Sequence, residues 1–380
     1  MSMIETVSTA EGFEALQPEW DDLVRAMPRP SPFLLHGWLA EWCRHYGARA
    51  ELRVHVARRD GRLVGALPLV LRRRAGLRVA TFMGGPESVL ADVLLAAGEA
   101  SDVCEALARH LGESGCDVID FHGLPAESRI AAALGRRLEM IQRIEAPVLD
   151  LTDGWDAVYQ AKTSSKKRSL HRRRRRQLAG LGTVDVSVAR SPDELRPALE
   201  EAFALHARRW EGRPDGSGFA STTGLRFHRA TLARLAAIDV ARIVTLRVAG
   251  RAVAFHYYFA LEGCMYVHRL AFDPTLARFS PGLVNTLDAI EAADAEGLRR
   301  VEFLGGDERY KVELADRFEP LFDGVGATSS ARGRAYAAAH MNSIRLRLRL
   351  KRSPRLRRLY FDGVAPVRRL AGRSRAPLVP

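Results

Sequence analysis

Apolar residues recur at helical spacing over 11–26 and 34–46, after which the chain changes to the runs ELRVHVARR and RLVGALPLVLRR. These runs flank Asp60-Gly61, a pair suited to the positive φ of a tight hairpin, and LRVATFM extends them into an antiparallel meander. The pattern then predicts a short strand near 92–95, a helix over 101–111, the strand CDVIDFHG, a helix over 126–137 and a strand ending at Leu149. A long helix from Trp155 to about Ala179 leads into a second series: helices over 192–210 and 223–237, and strands over 240–249, 251–261 and 264–272. There AFDPTLARFSPG turns into another helix, followed by the strand LRRVEFLGG and the segment DERYKVELADRF. Beyond about residue 330, IRLRLRLKR alternates Arg with apolar residues and reads as a peripheral appendage.

The second series repeats the first. VARRDGRLVGALPL (56–69) matches LRVAGRAVAFHYYF (246–259) through a shared G-R-x-V at the turn, and DFHG (120–123) corresponds to EFLG (302–305). Each of the later pair is preceded by a helix and ends in Gly. Such periodicity points to a duplicated α/β unit, giving an N-terminal half over 1–150, a C-terminal half over 151–330 and a basic tail over 331–380.

Length agrees with this division, since 380 residues, 47% of them hydrophobic, suit two medium cores. No run of about 20 uncharged apolar residues is present and the N-terminus lacks a signal-like pattern, so the expected location is the cytoplasm. The four cysteines show no C-x-x-C pair, and neither a metal site nor a disulfide framework is expected. The net charge of +13 is concentrated: residues 332–380 hold 14 Lys and Arg against the single acid Asp362, and the preceding chain is neutral. Within that neutral body, KTSSKKRSLHRRRRR (162–176) carries nine cations. It has no interleaved aromatics for base stacking, so a solvated or internally paired helix is expected rather than a nucleic-acid site. The Arg-Leu tail suits peripheral contact with an anionic membrane.

Chemistry concentrates at Arg278-Phe279-Ser280-Pro281-Gly282, where strand passes into helix. Ser280 suits an N-cap, Pro281 the first helical turn, and Gly282 close approach of a ligand to the backbone. Free N–H groups and the helix dipole make such a turn an anion site fit for a pyrophosphate, with Arg278 adding a charge-assisted contact. A capped helix without a ligand is the plainer reading of the same residues. Asp307, Tyr310 and Lys311 follow the strand VEFLGG, where α/β folds place their ligand crevice. Alternatively, Asp307 caps the next helix and Lys311 is solvated. His256 and His268 lie on neighbouring strands, where a neutral imidazole near pH 7 is a natural base. Glu302 alternates with Val301 and Phe303 as an inward carboxylate that needs a structural partner or carries a raised pKa. The loop WEGRPDGSGF (210–219) has the composition of a substrate lid.

The segment from Trp155 to Asp316 resembles the GNAT-type acetyltransferases of the CelD/BcsL branch, named for cellulose and exopolysaccharide biosynthesis. The similarity rests on KKRSLHRRRRRQL, HARRW, the meander ending in AFDP, ARFSPG and FLGGDERYK, with FLLHGWLAEWCRHYG resembling the family's start. Pro281 stands where the family's phosphate loop has its first Gly. The resemblance implies a tandem GNAT-like α/β fold of two mixed sheets flanked by helices, and acetyl-CoA or another acyl-CoA as donor. The acceptor it implies is an amine or hydroxyl on a saccharide or other small molecule.

Acyl transfer needs a base and groups that stabilise the reacting thioester. Asp307 is a candidate base or acceptor-orienting group, Tyr310 a proton donor to the departing thiolate, Lys311 a contact for phosphate or acidic substrate, and His256 an alternative base. The N-terminal half has no clear phosphate turn, because Gly84-Gly85-Pro86 precedes no helix signal, so one active site is expected. Two other readings stand beside this one: a FemABX-like aminoacyl transferase using charged tRNA, and a non-catalytic module binding nucleic acid or membrane.

Overall fold

The computed structural model describes residues 3–98, 101–211, 218–305, 308–328 and 330–352. The first half runs β1 (Met3–Val7), α1 (Ala10–Glu14), α2 (Gln17–Arg25), α3 (His36–Tyr46), β2 (Glu51–Arg59), β3 (Arg62–Arg74), β4 (Leu77–Phe82), β5 (Leu94–Leu95), α4 (Ser101–Glu113), β6 (Val118–Pro125), α5 (Arg129–Leu134) and β7 (Leu138–Ile144). The chain continues through β8 (Pro147–Asp150), α6 (Trp155–Lys162), α7 (Ser165–Ala179), β9 (Val184–Ala189), α8 (Pro192–Trp210), α9 (Thr222–Ala237), β10 (Ala241–Val248), β11 (Arg251–Leu261) and β12 (Cys264–Phe272). It ends with α10 (Pro281–Ala295), β13 (Arg300–Glu302), α11 (Arg309–Leu314), β14 (Arg317–Phe318), β15 (Leu321–Ala327) and α12 (Ala331–Arg352).

These elements form two mixed sheets. The first has the order β1-β2-β3-β4-β6-β15-β7 with β5 paired to β3, and the second β14-β8-β13-β12-β11-β10-β9. The duplication reaches into backbone detail. Asp60-Gly61 and Ala249-Gly250 both make turns with positive φ. Register then slips between Ala57 and Arg58 in the first hairpin and between Leu246 and Arg247 in the second, so that Val64 and Val253 are left without a direct partner. These are the valines of the two G-R-x-V motifs, so sequence repeat and bulge coincide. Each meander also ends in a short parallel pairing, Val79–Val118 and Ala80–Ile119 in one sheet and Met265–Val301 and Tyr266–Glu302 in the other.

The sheets do not follow the expected divisions at 150 and 330. Strand β8, expected with the N-terminal half, pairs with β13 and β14 in the second sheet. Strand β15, expected with the C-terminal half, inserts between β6 and β7 of the first. Helix α12 continues onto that sheet: Ala337, Met341 and Ile344 bury against Val79, Val118 and Val325, so this part of the basic tail is integral to the core. Each half lends the other a strand, because a strand's unpaired backbone groups are satisfied wherever a sheet offers an edge. Between the sheets α3 packs on α9, and Gly37 permits the approach: a Cβ there would stand 2.9 Å from Cβ of Arg234.

Two expected helices are interrupted. The 11–26 stretch is two short helices, with Pro18 in the first turn of α2. The 155–179 stretch breaks at Thr163, which leaves helical geometry with ψ 129°, and Ser164 then caps α7 by accepting from the Lys167 N–H. Hydroxyl side chains favour such caps because they compete with the helix for backbone donors.

Candidate active site

The second sheet opens at its centre. Strands β12 and β13 pair only over Cys264–Tyr266 and Arg300–Glu302. Beyond that point β12 continues to Phe272, whereas Phe303 donates its N–H to Pro147 of β8 at 3.0 Å and Leu304 takes a left-handed φ of 56°. The chain thus turns away from β12 and leaves the β12 edge from Val267 onward facing a wedge. Its mouth is the N-terminus of α10.

Three buried polar side chains and the half-buried Tyr310 lie on the α10 side of this wedge. Lys311 is only 4% exposed; its Nζ donates to the Gly305 carbonyl at 2.7 Å and stands 2.9 Å from a Glu308 oxygen. The expected alternative of a solvated Lys311 is therefore corrected, and its ammonium ties Gly305 to the start of α11. His256 is buried, and neither of its ring nitrogens has a hydrogen-bond partner among the described residues. Burial, with the nearby Lys311 cation adding to it, pushes its pKa down to about 3. That imidazole stays neutral at ordinary pH and is a poor base, since an efficient base titrates near working pH. Asn285 of α10 donates to the Val244 carbonyl at 3.2 Å, while its Oδ1 has no partner among the described residues. Tyr310 sits beside Thr286 with its hydroxyl kept protonated by burial. Asp307 lies outside the described residues.

The mouth differs in detail from the sequence reading. Ser280 adopts a left-handed φ of 53°, and its side chain makes no capping bond. Its carbonyl instead accepts from Val284 at 3.2 Å, and the N–H groups of Gly282 and Leu283 have no acceptor among the described residues. Gly282 serves helix packing: a Cβ there would stand 2.8 Å from the Phe272 ring, so the glycine lets α10 lie against β12. Pro281 is buried in the first turn. Arg278 is exposed, its guanidinium 4.6 Å above the Phe279 ring and paired with no acid among the described residues. A narrow cleft beside this mouth is lined by Leu283, Leu287, Tyr310 and Leu314, with Lys162, Lys167 and His171 at its rim.

His268 does not join His256. A bulge between Tyr257 and Tyr258 leaves His268 unpaired and turns it to the opposite face of the sheet, among Trp38, Phe33 and His228 at the junction of the halves. There Glu87 of the first half pairs with Arg269 at 3.0 Å, a contact that no local pattern announced. Glu302 also faces that junction, clasped by Arg29 and Arg300, which selects the structural-partner reading. Most of the lid candidate falls in 212–217, outside the described residues. The four cysteines are free thiols, three of them buried, and no group of metal-ligating side chains occurs among the described residues. No helix there is long and apolar enough to cross a membrane.

Comparison with known proteins agrees with this geometry. Residues 165–312 match the Acetyltransferase (GNAT) domain family, a span that holds α7, the meander, α10 and the wedge. FemX is similar in fold at 13% identity, with TM-score 0.58 over 84% of this chain and 96% of that one. The C-terminal domain of a putative lysylphosphatidylglycerol synthetase from Agrobacterium fabrum gives 14%, 0.53, 87% and 96% in the same terms. A tandem GNAT protein from the clavulanic acid biosynthesis pathway matches at 15% identity and TM-score 0.47, over 87% and 100% of the two chains. No curated protein matches in sequence. The chain thus carries an acetyltransferase domain of the GNAT type in a GNAT-like fold of two mixed sheets, and it is an acyltransferase.

Proposed function

We propose that the protein takes an acyl group from acyl-CoA, acetyl-CoA in the simplest case, and passes it to an amine or hydroxyl of a small or saccharide acceptor. One observation carries this reading: a free strand edge, β12 from Val267, ends at an uncapped helix N-terminus with buried polar groups alongside. An edge strand offers N–H and C=O groups to an amide-bearing arm, and the α10 N–H groups suit a diphosphate. In the reaction the acceptor's nitrogen or oxygen bonds to the thioester carbon and the C–S bond breaks. Tyr310, whose hydroxyl burial keeps protonated, is the proposed source of the proton that the departing sulfur takes up. Lys311 ties Gly305 to α11 and adds positive charge at the wedge, while His256 acts as a neutral hydrogen-bonding group. The acceptor's own proton needs a base, for which Asp307 remains the candidate. The resemblance to the CelD/BcsL branch favours a saccharide acceptor and a cytoplasmic enzyme, with one donor site in the C-terminal half.

Calorimetric titration of acetyl-CoA into the protein and into Ser280→Asp tests the donor site. Asp tolerates left-handed φ and is a good cap, so the variant keeps helix stability while placing a carboxylate where the diphosphate would sit. One-to-one binding that weakens at least tenfold in the variant, with unchanged melting, supports the reading. Equal binding by both proteins moves the donor elsewhere. Absence of heat with the unmodified protein turns attention to the tRNA-dependent reading, whose FemX-type fold this chain shares.

A further inference from the structure

Helix α7 carries charge all round, and the tertiary structure divides it into two sides. On the inner side Arg175 pairs with Asp288 of α10, Lys167 lies 3.1 Å from Glu313 of α11, and Leu178 is buried against Phe279 and Val284. Arg168 donates to carbonyls at the end of α6. In the preceding turn Lys162 pairs with Asp316. The outer side has no such partners. Lys166, Arg172, Arg173 and Arg176 are exposed and make no ion pair among the described residues. With 3.6 residues per turn these four fall within about 120° of arc, together with the exposed hydroxyls of Ser165 and Ser169.

No Asp or Glu occurs between Asp156 and Asp185, so nothing local neutralises the band. The helix is also a ridge rather than a layer, since Leu178 is its one buried residue.

We infer that the outer face of α7 is a docking surface for the phosphodiester backbone of a nucleic acid. Four fixed cations interspersed with hydroxyls on a protruding helix match the groups that contact nucleic-acid phosphates without reading sequence. The missing aromatic residues, which weigh against base stacking, are not needed for backbone contact. An anionic membrane fits less well, because interfacial helices bind through an apolar face. Here Leu178 is used inside the protein, and Leu170 is the one large apolar side chain exposed on α7. The inference stands on α7 alone and is independent of the acyl donor.

Fluorescence anisotropy of the full chain with a labelled RNA hairpin and with a DNA duplex of the same sequence tests it. Four phosphate contacts predict an affinity that falls about 100-fold between 50 and 200 mM salt. The triple variant R172E/R173E/R176E should lose at least tenfold in affinity and show a salt slope shallower by about 3. Its melting should stay unchanged, because none of the three makes an ion pair or a side-chain hydrogen bond with another described residue. Failure of the unmodified chain to bind either nucleic acid overturns the inference. Equal binding by the triple variant does so too, by placing the contact elsewhere, as with the basic tail. Binding only to phosphatidylserine vesicles assigns the surface to membrane and likewise overturns it. RNA binding without duplex DNA, or the reverse, identifies which nucleic acid docks.

Discussion

Arg29 grips Glu302 across the junction of the two halves, its Nε 2.9 and 3.2 Å from the carboxylate oxygens and a terminal nitrogen 2.5 Å from Oε2. The Glu302 side chain has no exposed surface, and Arg300 approaches it to 2.6 Å from the other side. Removing one cation strands a buried charge, which costs far more than an exposed pair is worth. Arg29→Ala is expected to lower stability by about 3 kcal/mol, the low end for breaking a buried pair because Arg300 remains. Denaturant unfolding measures this, and unchanged stability would mean that Arg300 alone satisfies the carboxylate.

The part proposed for Lys311 in acyl transfer rests on its contact with Gly305. Lys311→Met should reduce acyl transfer by about 100-fold, the scale on which a displaced reacting group is felt. Lys311→Arg should not restore it, because a guanidinium does not fit the space of a compact ammonium. Initial rates of free thiol release from acetyl-CoA read both, and full activity in either variant removes Lys311 from the working site.

Gly282 is fixed by space rather than by φ. Gly282→Ala puts a methyl group 2.8 Å from the Phe272 ring, and the resulting overpacking should cost about 1–3 kcal/mol. Phe272→Leu in the same chain should recover part of the loss, a coupling seen as non-additive melting shifts.

Buried neutral histidines set an acid limit on stability. Burial takes His55 to about 4, with the His110 and Arg53 charges adding to it, and His256 to about 3. An unfolded histidine titrates near 6.5, so below that pH the unfolded chain binds more protons and stability falls with acidification, by about 1.4 kcal/mol per pH unit for each such group. His122 opposes this trend. Although burial disfavours its charge, Asp323 and Asp120 raise its pKa, so its contribution is present at low pH and fades as pH rises through the raised value. Denaturant unfolding between pH 5 and 7 should show a positive slope that flattens by about one group's worth in His256→Gln. An unaltered slope would show that His256 titrates normally in the folded protein.

Periodicity determined much of this molecule. Strands β10, β11 and β12 and helices α8 and α9 lie within a residue or two of the positions read from the sequence, because alternation and helical spacing record which face of each element is buried. The G-R-x-V repeat predicted two similar units, and both hairpins carry the same bulge. The turn at 278–282 was legible as the start of a helix because helix starts have local signatures.

Tertiary structure alone decided the rest. The exchange of β8 and β15 between sheets follows from edge pairing, which no local pattern encodes. The separation of His256 from His268 depends on a one-residue bulge that turns one of them to the other face. The burial of Lys311, the packing role of Gly282 and the clasp of Arg29 on Glu302 are contacts between segments distant in the chain. The basic run shows the same division: its charge was plain in the sequence, and which cations find acids depended on where α10 and α11 placed Asp288 and Glu313.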